Sequence, residues 1–292
     1  MGVEVVAIFG PTASGKSAVA RRVAEALGTD VVSADALQVY RGLPILTNQP
    51  ADSTRLVAIR DLSESMSVGE YATLAHAAVD DLVEEHGAAV VAGGTGLYLR
   101  AALAELEIPP AVRASRRARV ESLYDEDPDA AYARLTEVDP DAAAAVHVND
   151  RRRMVRSLEL AEVGSSLVSS SDRLWSRSTR RPTLLVGLDL PADALRDRIQ
   201  ARTDEMIRHG AVAEARAAAN VPISRNAATA LGLRELSTLP LEEAREALAT
   251  RTWRYAAYQR KWMRRIPDIV LVDGDRPSEV VADDVLDLAR AR

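Results

Sequence analysis

The segment Gly10-Pro-Thr-Ala-Ser-Gly-Lys-Ser17 follows the apolar run Val5-Val-Ala-Ile-Phe9 and precedes a stretch carrying Val19, Ala20, Val23 and Leu27 at helical spacing. A strand that enters a glycine-bearing loop ending in Lys-Ser, with a helix straight after, constrains the fold more than any other feature of the chain. Glycines at 10 and 15 let the backbone wrap so that its N–H groups converge. The helix after Lys16 adds its positive end, Lys16 adds a point charge, and the Ser17 hydroxyl can reach Mg2+. Residues Gly10, Pro11, Thr12, Ala13, Ser14, Gly15, Lys16 and Ser17 therefore read as a phosphate site, with Ser17 the candidate metal ligand. Only Lys16 and Lys261 are lysines in a chain with 35 arginines, so a compact ammonium stands where a phosphate loop needs one.

The strand-and-helix alternation continues from a first strand over 3–9 to residue 112. A strand over 30–33 ends in SADALQVYRG, a helix covers 68–86, and a strand over 88–92 ends in GGTGLYLR. Strands separated by helices imply a parallel sheet with its site at the strands' C-terminal ends, where all three loops fall. From 113 to 181 β-like runs vanish, and helix-forming stretches break at Asp127-Pro128, at Asp139-Pro140 and in the serine-rich 164–171. The core resumes with a strand over 183–190, a helix opened by Pro191, a last strand over 268–272 and a closing helix over 277–290. The expected fold is α/β, a P-loop NTPase-like parallel sheet with flanking helices. Its core covers 1–112 and 182–292, and 113–181 is a helical, arginine-rich insertion domain.

Length and a 47% hydrophobic content suit one such domain with an insertion. No apolar stretch approaches the roughly 18 to 20 residues that span a membrane, and the first residues lack a signal peptide's basic start, so a cytoplasmic protein with no membrane partner is expected. Zero cysteines exclude disulfides, thiolate metal sites and a cysteine nucleophile. A net charge of −6 argues against a uniformly basic nucleic-acid binder, but the positive charge is clustered. Arg113, Arg116, Arg117 and Arg119 form one group, and Arg151, Arg152, Arg153 and Arg156 another. The segment 251–265 holds six basic groups and no acid, interleaved with Trp253, Tyr255, Tyr258 and Trp262. Such segments suit a polynucleotide backbone and stacked bases, or else are amphipathic helices whose aromatics are core and whose arginines are solvated.

Two strand ends carry the remaining chemistry. Asp35 is an N-cap, a magnesium partner or a general base. The strand over 88–92 ends in Gly93-Gly94-Thr95-Gly96, where a nucleotide-hydrolysing site would place an acid to hold Mg2+ and position water. The glycines allow close approach of a bound group, or form a plain turn.

In order, GPTASGKS, SADALQVYRG, GGTGLYLRAAL, VHVNDRRRMVRSLEL, RIQARTDEM and YQRKWMRR resemble the tRNA dimethylallyltransferase (tRNA isopentenyltransferase) family over most of the chain. The resemblance implies transfer of a dimethylallyl group from dimethylallyl diphosphate to the exocyclic amine of the adenosine 3′ of the anticodon, with Mg2+ as cofactor and a flipped base. It implies Asp35 as general base, and Lys16, Thr12, Arg198 and Arg202 as groups acting on the donor, the two arginines lying on one helix face. Asp35, Ala36, Leu37, Gln38, Thr95, Arg113 and the run Arg152, Arg153, Met154, Val155, Arg156 match stretches that touch tRNA in the family. Arg260, Lys261, Arg264 and Arg265 are expected at tRNA phosphates. The expected partners are the tRNA anticodon stem-loop and the prenyl donor, and a monomer is expected. The chain departs from the family at 53–58, which lacks a Pro-His pair, and at Gly232-Leu233, in place of Gly-Tyr. Other readings are a small-molecule kinase with the insertion as a lid over ATP, an adenine-nucleotide prenyltransferase, and a nucleotide-gated binding module.

Overall fold

The computed structural model describes residues 2–51, 54–107, 109–110, 112–168 and 176–292. The run VVAIF becomes β1 (Val5–Phe9), and its uninterrupted apolar character fits the position it takes, the middle of a parallel sheet buried on both faces. With β2 (Val31–Ser33), β3 (Ala89–Gly93), β4 (Thr183–Asp189) and β5 (Val270–Asp273) it forms a five-stranded sheet in the order β2-β3-β1-β4-β5. Val5 pairs with Ala89 on one side and Thr183 on the other. The last strand starts later than its expected 268 because Asp268 has a left-handed φ of 55°, incompatible with extended pairing.

The core helices are α1 (Lys16–Leu27), α2 (Val68–His86) and α3 (Gly96–Leu103), and the insertion holds α4 (Ala114–Glu126), α5 (Pro128–Val138), α6 (Pro140–Ala145) and α7 (Arg151–Ala161). After it come α8 (Ala192–Arg208), α9 (Ala211–Ala219), α10 (Leu233–Thr238), α11 (Leu241–Met263) and α12 (Ser278–Arg290). Val19 and Val23 of α1 and Val281 and Val285 of α12 pack on Val6, Ile8, Val90, Leu184 and Val186, one face of the sheet. Val5, Ala7, Phe9 and Val91 alternate to the other face and are equally buried, on the side of α2 and α3. Thus α1 leaves β1 on one face and α3 leaves the adjacent β3 on the other, which opens a crevice at their C-terminal ends.

In the insertion the two Asp-Pro breaks are helix restarts. Asp127 accepts hydrogen bonds from the backbone N–H groups of Asp129 and Ala130, Asp139 accepts from Ala142, and each proline occupies a first-turn position where no N–H is needed. Val120, Tyr124, Leu135, Met154 and Leu158 form its own apolar cluster. The compact unit runs over Leu106–Arg173, shifted from the expected 113–181. Residues 176–181 side with the core: Arg180 N–H donates to Leu103 O, Arg180 and Arg181 both pair with Asp80, and the buried Arg100 donates to Ser176 O and Ser178 O. At the other border Pro109 O and Pro110 O accept from Arg156 of α7. Residues 169–171 of the serine-rich break, and Ser53 of the 53–58 departure, lie outside the described residues. Leu233, at the Gly232-Leu233 departure, is buried among Leu43, Leu46, Leu236 and Leu248. No helix among the described residues is long and apolar enough to cross a membrane.

Candidate active site

The phosphate loop is held open by its backbone. Ala13 and Gly15 adopt left-handed φ values of 64° and 87°, a conformation a non-glycine residue takes only at a cost, and one that turns successive N–H groups inward. Gly15 caps α1 without a side-chain acceptor, so the first N–H groups of the helix remain available to an anion. Ser14 Oγ is buried with no hydrogen-bond partner among the described residues, and Ser17 is exposed on the rim.

Three cations gather at this loop. Lys16 Nζ lies 3.4 Å from Pro11 O. Burial lowers its pKa to about 8, the charge of Arg202 pushes the same way, and Asp35 opposes both. Arg202 donates to Thr12 Oγ1 at 3.2 Å, and burial likewise lowers its pKa against the pull of Asp35. Arg198, one turn earlier on α8, donates to Gly274 O at 3.2 Å and Ser14 O at 3.5 Å and pairs with Asp275 at 2.9 Å. The helix is set there by Leu195 and Ile199, which pack with Leu190 and Ala256. The expected grouping of Thr12, Lys16, Arg198 and Arg202 is therefore present.

Asp35 leaves the end of β2 half-buried, and its Oδ1 accepts from Leu37 N–H at 2.9 Å. This is an Asx turn and no helix follows, so the N-cap reading is set aside; Oδ2 carries no hydrogen bond among the described residues. Its charge acts on Lys16, Arg202, Tyr71 and Tyr255. Thr95 Oγ1 accepts from Ala36 N–H at 3.4 Å and bonds the Tyr255 hydroxyl, whose pKa is raised to about 12 by burial first and Asp35 second. The turns after β2 and β3 are thereby tied together.

Sequence reasoning overlooked two residues of α11. Tyr255, read from the sequence as either a base-stacking or a core aromatic and given no role at the site, faces it through Thr95. Gln259 is 2% exposed; its Oε1 accepts from Thr12 N–H at 2.8 Å and its Nε2 donates to Gly94 O at 2.7 Å. A signal existed, because Leu248, Thr252, Ala256, Gln259 and Met263 are the buried positions at helical spacing, and an amide among them is out of character for a core stripe. The glycines of the β3 turn make room for this helix: a Cβ at Gly96 would lie 2.2 Å from the Trp262 ring.

The expected tRNA contacts divide. Arg113, Arg152 and Arg153 are exposed on the insertion, and Lys261, Arg264 and Arg265 are exposed at the end of α11. Met154 and Val155 are corrected to core residues, fully buried in the insertion because α7 turns that face inward. Arg156 is occupied by Glu159 at 3.2 Å and by the carbonyls of Pro109 and Pro110. Arg260 pairs with Asp189 at 3.0 Å. The Gln38 amide accepts from Ser33 Oγ and donates to Thr47 O and Asn48 O, which makes it an organiser of its own loop, and Leu37 packs against the Leu43 cluster. Of the four aromatics in 251–265, only Tyr258 is well exposed, at 55%, with Trp262 edge-on at 6.4 Å; Trp253 takes the Arg196 guanidinium on its face at 4.7 Å.

Comparison with known proteins agrees with this geometry. The family described as IPP transferase matches residues 38–266. A tRNA dimethylallyltransferase of Salinispora arenicola is 39% identical over 295 residues, covering 96% of this chain and 84% of the relative, and one of Kineococcus radiotolerans is 37% identical over 310 residues, covering 99% and 95%. Among solved structures, the tRNA isopentenylpyrophosphate transferase of Bacillus halodurans superposes with a TM-score of 0.71 at 29% identity, covering 99% of this chain and 96% of that one. A eukaryotic dimethylallyltransferase acting on tRNA gives 0.81 at 25% identity, with 99% and 80% covered. With the phosphate loop, the acid at the end of β2 and the glycine turn after β3 in one crevice, and with relatives alike over nearly their whole length, the chain belongs to the IPP transferase family.

Proposed function

We propose that the chain transfers a dimethylallyl group from dimethylallyl diphosphate to the exocyclic N6 amine of the adenosine 3′ of the anticodon in tRNA, releasing diphosphate. The observation that carries this reading is the crevice itself: Lys16 and Arg202 gather at the phosphate loop within reach of the Asp35 charge, and β3 ends in Gly93-Gly94 without an acid. The adenine amine is a weak nucleophile because its lone pair is delocalised into the ring. As nitrogen bonds to C1 of the dimethylallyl group, the C1–O bond breaks, its electron pair leaves with diphosphate, and the amine proton passes to the Asp35 carboxylate. The growing charge on diphosphate falls to Lys16, Arg202, Arg198 and the N–H groups at the start of α1. Thr95, joined to Tyr255, borders the acceptor side.

Mg2+ fits as a donor-borne ion. No three of His, Asp and Glu cluster among the described residues, so the protein would supply Ser17 and the diphosphate most of the remaining oxygens. When bound, the ion would further neutralise the leaving group. Each unit is proposed to offer tRNA phosphates its own exposed basic residues, Arg113, Arg152 and Arg153 on the insertion and Lys261 and Arg264 on α11, where Tyr258 offers a face to a base. The test is reconstitution with purified protein, dimethylallyl diphosphate and a tRNA carrying adenosine 3′ of its anticodon, followed by nucleoside mass spectrometry. Prenylated adenosine in the tRNA supports the reading. Prenylation of free adenine nucleotides alone, or phosphoryl transfer from ATP, would replace it.

A further inference from the structure

We infer that Gln259 is a positioning residue that sets the spacing between the loop holding the donor and the turn bordering the acceptor. It hydrogen-bonds the backbone of both, Thr12 N–H through Oε1 and Gly94 O through Nε2, so each end of one buried amide is matched to the group it faces. The amide orientation is fixed by these partners, since only the oxygen can accept from Thr12 and only the nitrogen can donate to Gly94. Gly94 is shaped to the contact: a Cβ there would sit 2.2 Å from Nε2 and 3.1 Å from Gly10 O, so any side chain would force the β3 turn away from the β1 loop. Gln259 also engages the Thr12 N–H and leaves the anion to the N–H groups further along the loop. Thr12 itself meets Arg202 through its Oγ1, and Thr95, the residue after Gly94, meets Tyr255, so a shift of either backbone moves the side chains that line the crevice.

The kinetic consequence rests on the prenyl-transfer reading; the clamp itself does not. Reaction requires the amine and the donor carbon at about 3 to 3.5 Å, and a misplacement of about 1 Å costs on the order of 100-fold in rate. Gln259→Met keeps the side-chain length and removes both hydrogen bonds. It is expected to lower kcat by roughly 30- to 100-fold while donor KM and inorganic diphosphate affinity stay within about 3-fold. Gly94→Ala should reproduce that loss, and the double variant should be no worse than either single one, because both break the same contact. Backbone hydrogen exchange in the donor-free protein should accelerate together in 10–17 and 93–96 of Gln259→Met. A kcat within about 3-fold of wild type, additive losses in the double variant, or unchanged exchange in both loops would overturn the clamp. A parallel fall in kcat, diphosphate affinity and melting temperature would also overturn it, by making Gln259 an ordinary core residue. If the wild-type chain prenylates no tRNA, the functional reading fails, and the exchange experiment alone decides the clamp.

Discussion

In the insertion, Arg116 and Arg119 share Glu162 at 3.5 and 2.6 Å, Arg117 reaches Glu121 at 3.1 Å, and Arg151 grips Asp125 with two nitrogens. At the strand ends, Lys16 and Arg202 lean on a carbonyl and a hydroxyl, and the acid that opposes them, Asp35, makes no hydrogen bond to either among the described residues. Basic residues thus do two jobs. Where arginine is matched by acid it ties helices together near the surface, at little net gain. Where burial leaves positive charge uncompensated, the site is poised for an anion, and the depressed pKa of Lys16 is the mark of it.

The most severe test of this contrast removes the acid that faces the cations. Asp35→Asn should lower turnover by roughly 100-fold or more with donor and tRNA binding within a few-fold, the pattern of a lost general base. Near-normal turnover would take Asp35 out of the mechanism. Next, Lys16→Ala should weaken inorganic diphosphate by roughly 10- to 100-fold, the scale of a hydrogen bond to a charged group. Because burial puts the free-protein pKa of Lys16 at about 8 and a bound diphosphate raises it, binding takes up a proton and affinity falls as pH climbs through that value. The diphosphate's own titration cancels in the difference between wild type and Lys16→Ala, which calorimetry at several pH values measures. A difference that does not vary with pH would deny Lys16 its place.

A smaller effect is expected at the exposed end of α11. Replacing Lys261 and Arg264 by Ala should weaken tRNA uniformly across anticodon-loop sequences and flatten log affinity against log salt by roughly 1 to 1.5 units, at about 0.7 per phosphate contact. Donor binding and the melting curve should not change; an unaltered salt slope would remove this patch from the tRNA footprint. Smallest of all, Glu162→Gln should cost the insertion at most about 1 kcal/mol, read by chemical denaturation, and leave diphosphate affinity as it was. A loss of diphosphate affinity there would collapse the distinction between the two sets of basic residues.

The strands, α1, α2 and the phosphate loop were legible because their determinants are local: an uninterrupted apolar run, a glycine-bearing loop ending in Lys-Ser, and apolar residues at helical spacing. So was the face shared by Arg198 and Arg202, a matter of helical spacing. Which basic residues are free was not, since Arg260 meets Asp189 and Arg119 meets Glu162 across long stretches of sequence. The sequence of α7 interleaves Met154 and Val155 with arginines, and only the helix's rotation separates the buried pair from the exposed one. The end of the insertion was misjudged for a similar reason, because Arg180 and Arg181 resemble their arginine-rich neighbours until Asp80 and Glu4 are seen beside them.

The central place of β1 also shapes how the chain comes together. It precedes the other strands of its sheet in the chain, yet one of its edges is filled only by β4, whose Thr183 pairs with Val5 after the whole insertion has been synthesised. Until then an apolar strand stands with an open edge, the kind of surface that recruits other chains. The insertion's short helices meet neighbours close in sequence, the kind of local contact that forms faster than a sheet paired across long stretches of chain. Because β3 precedes the insertion and β4 follows it, β1 gains its β3 partner first during synthesis, and the growing chain is most exposed to aggregation in the interval before β4 docks.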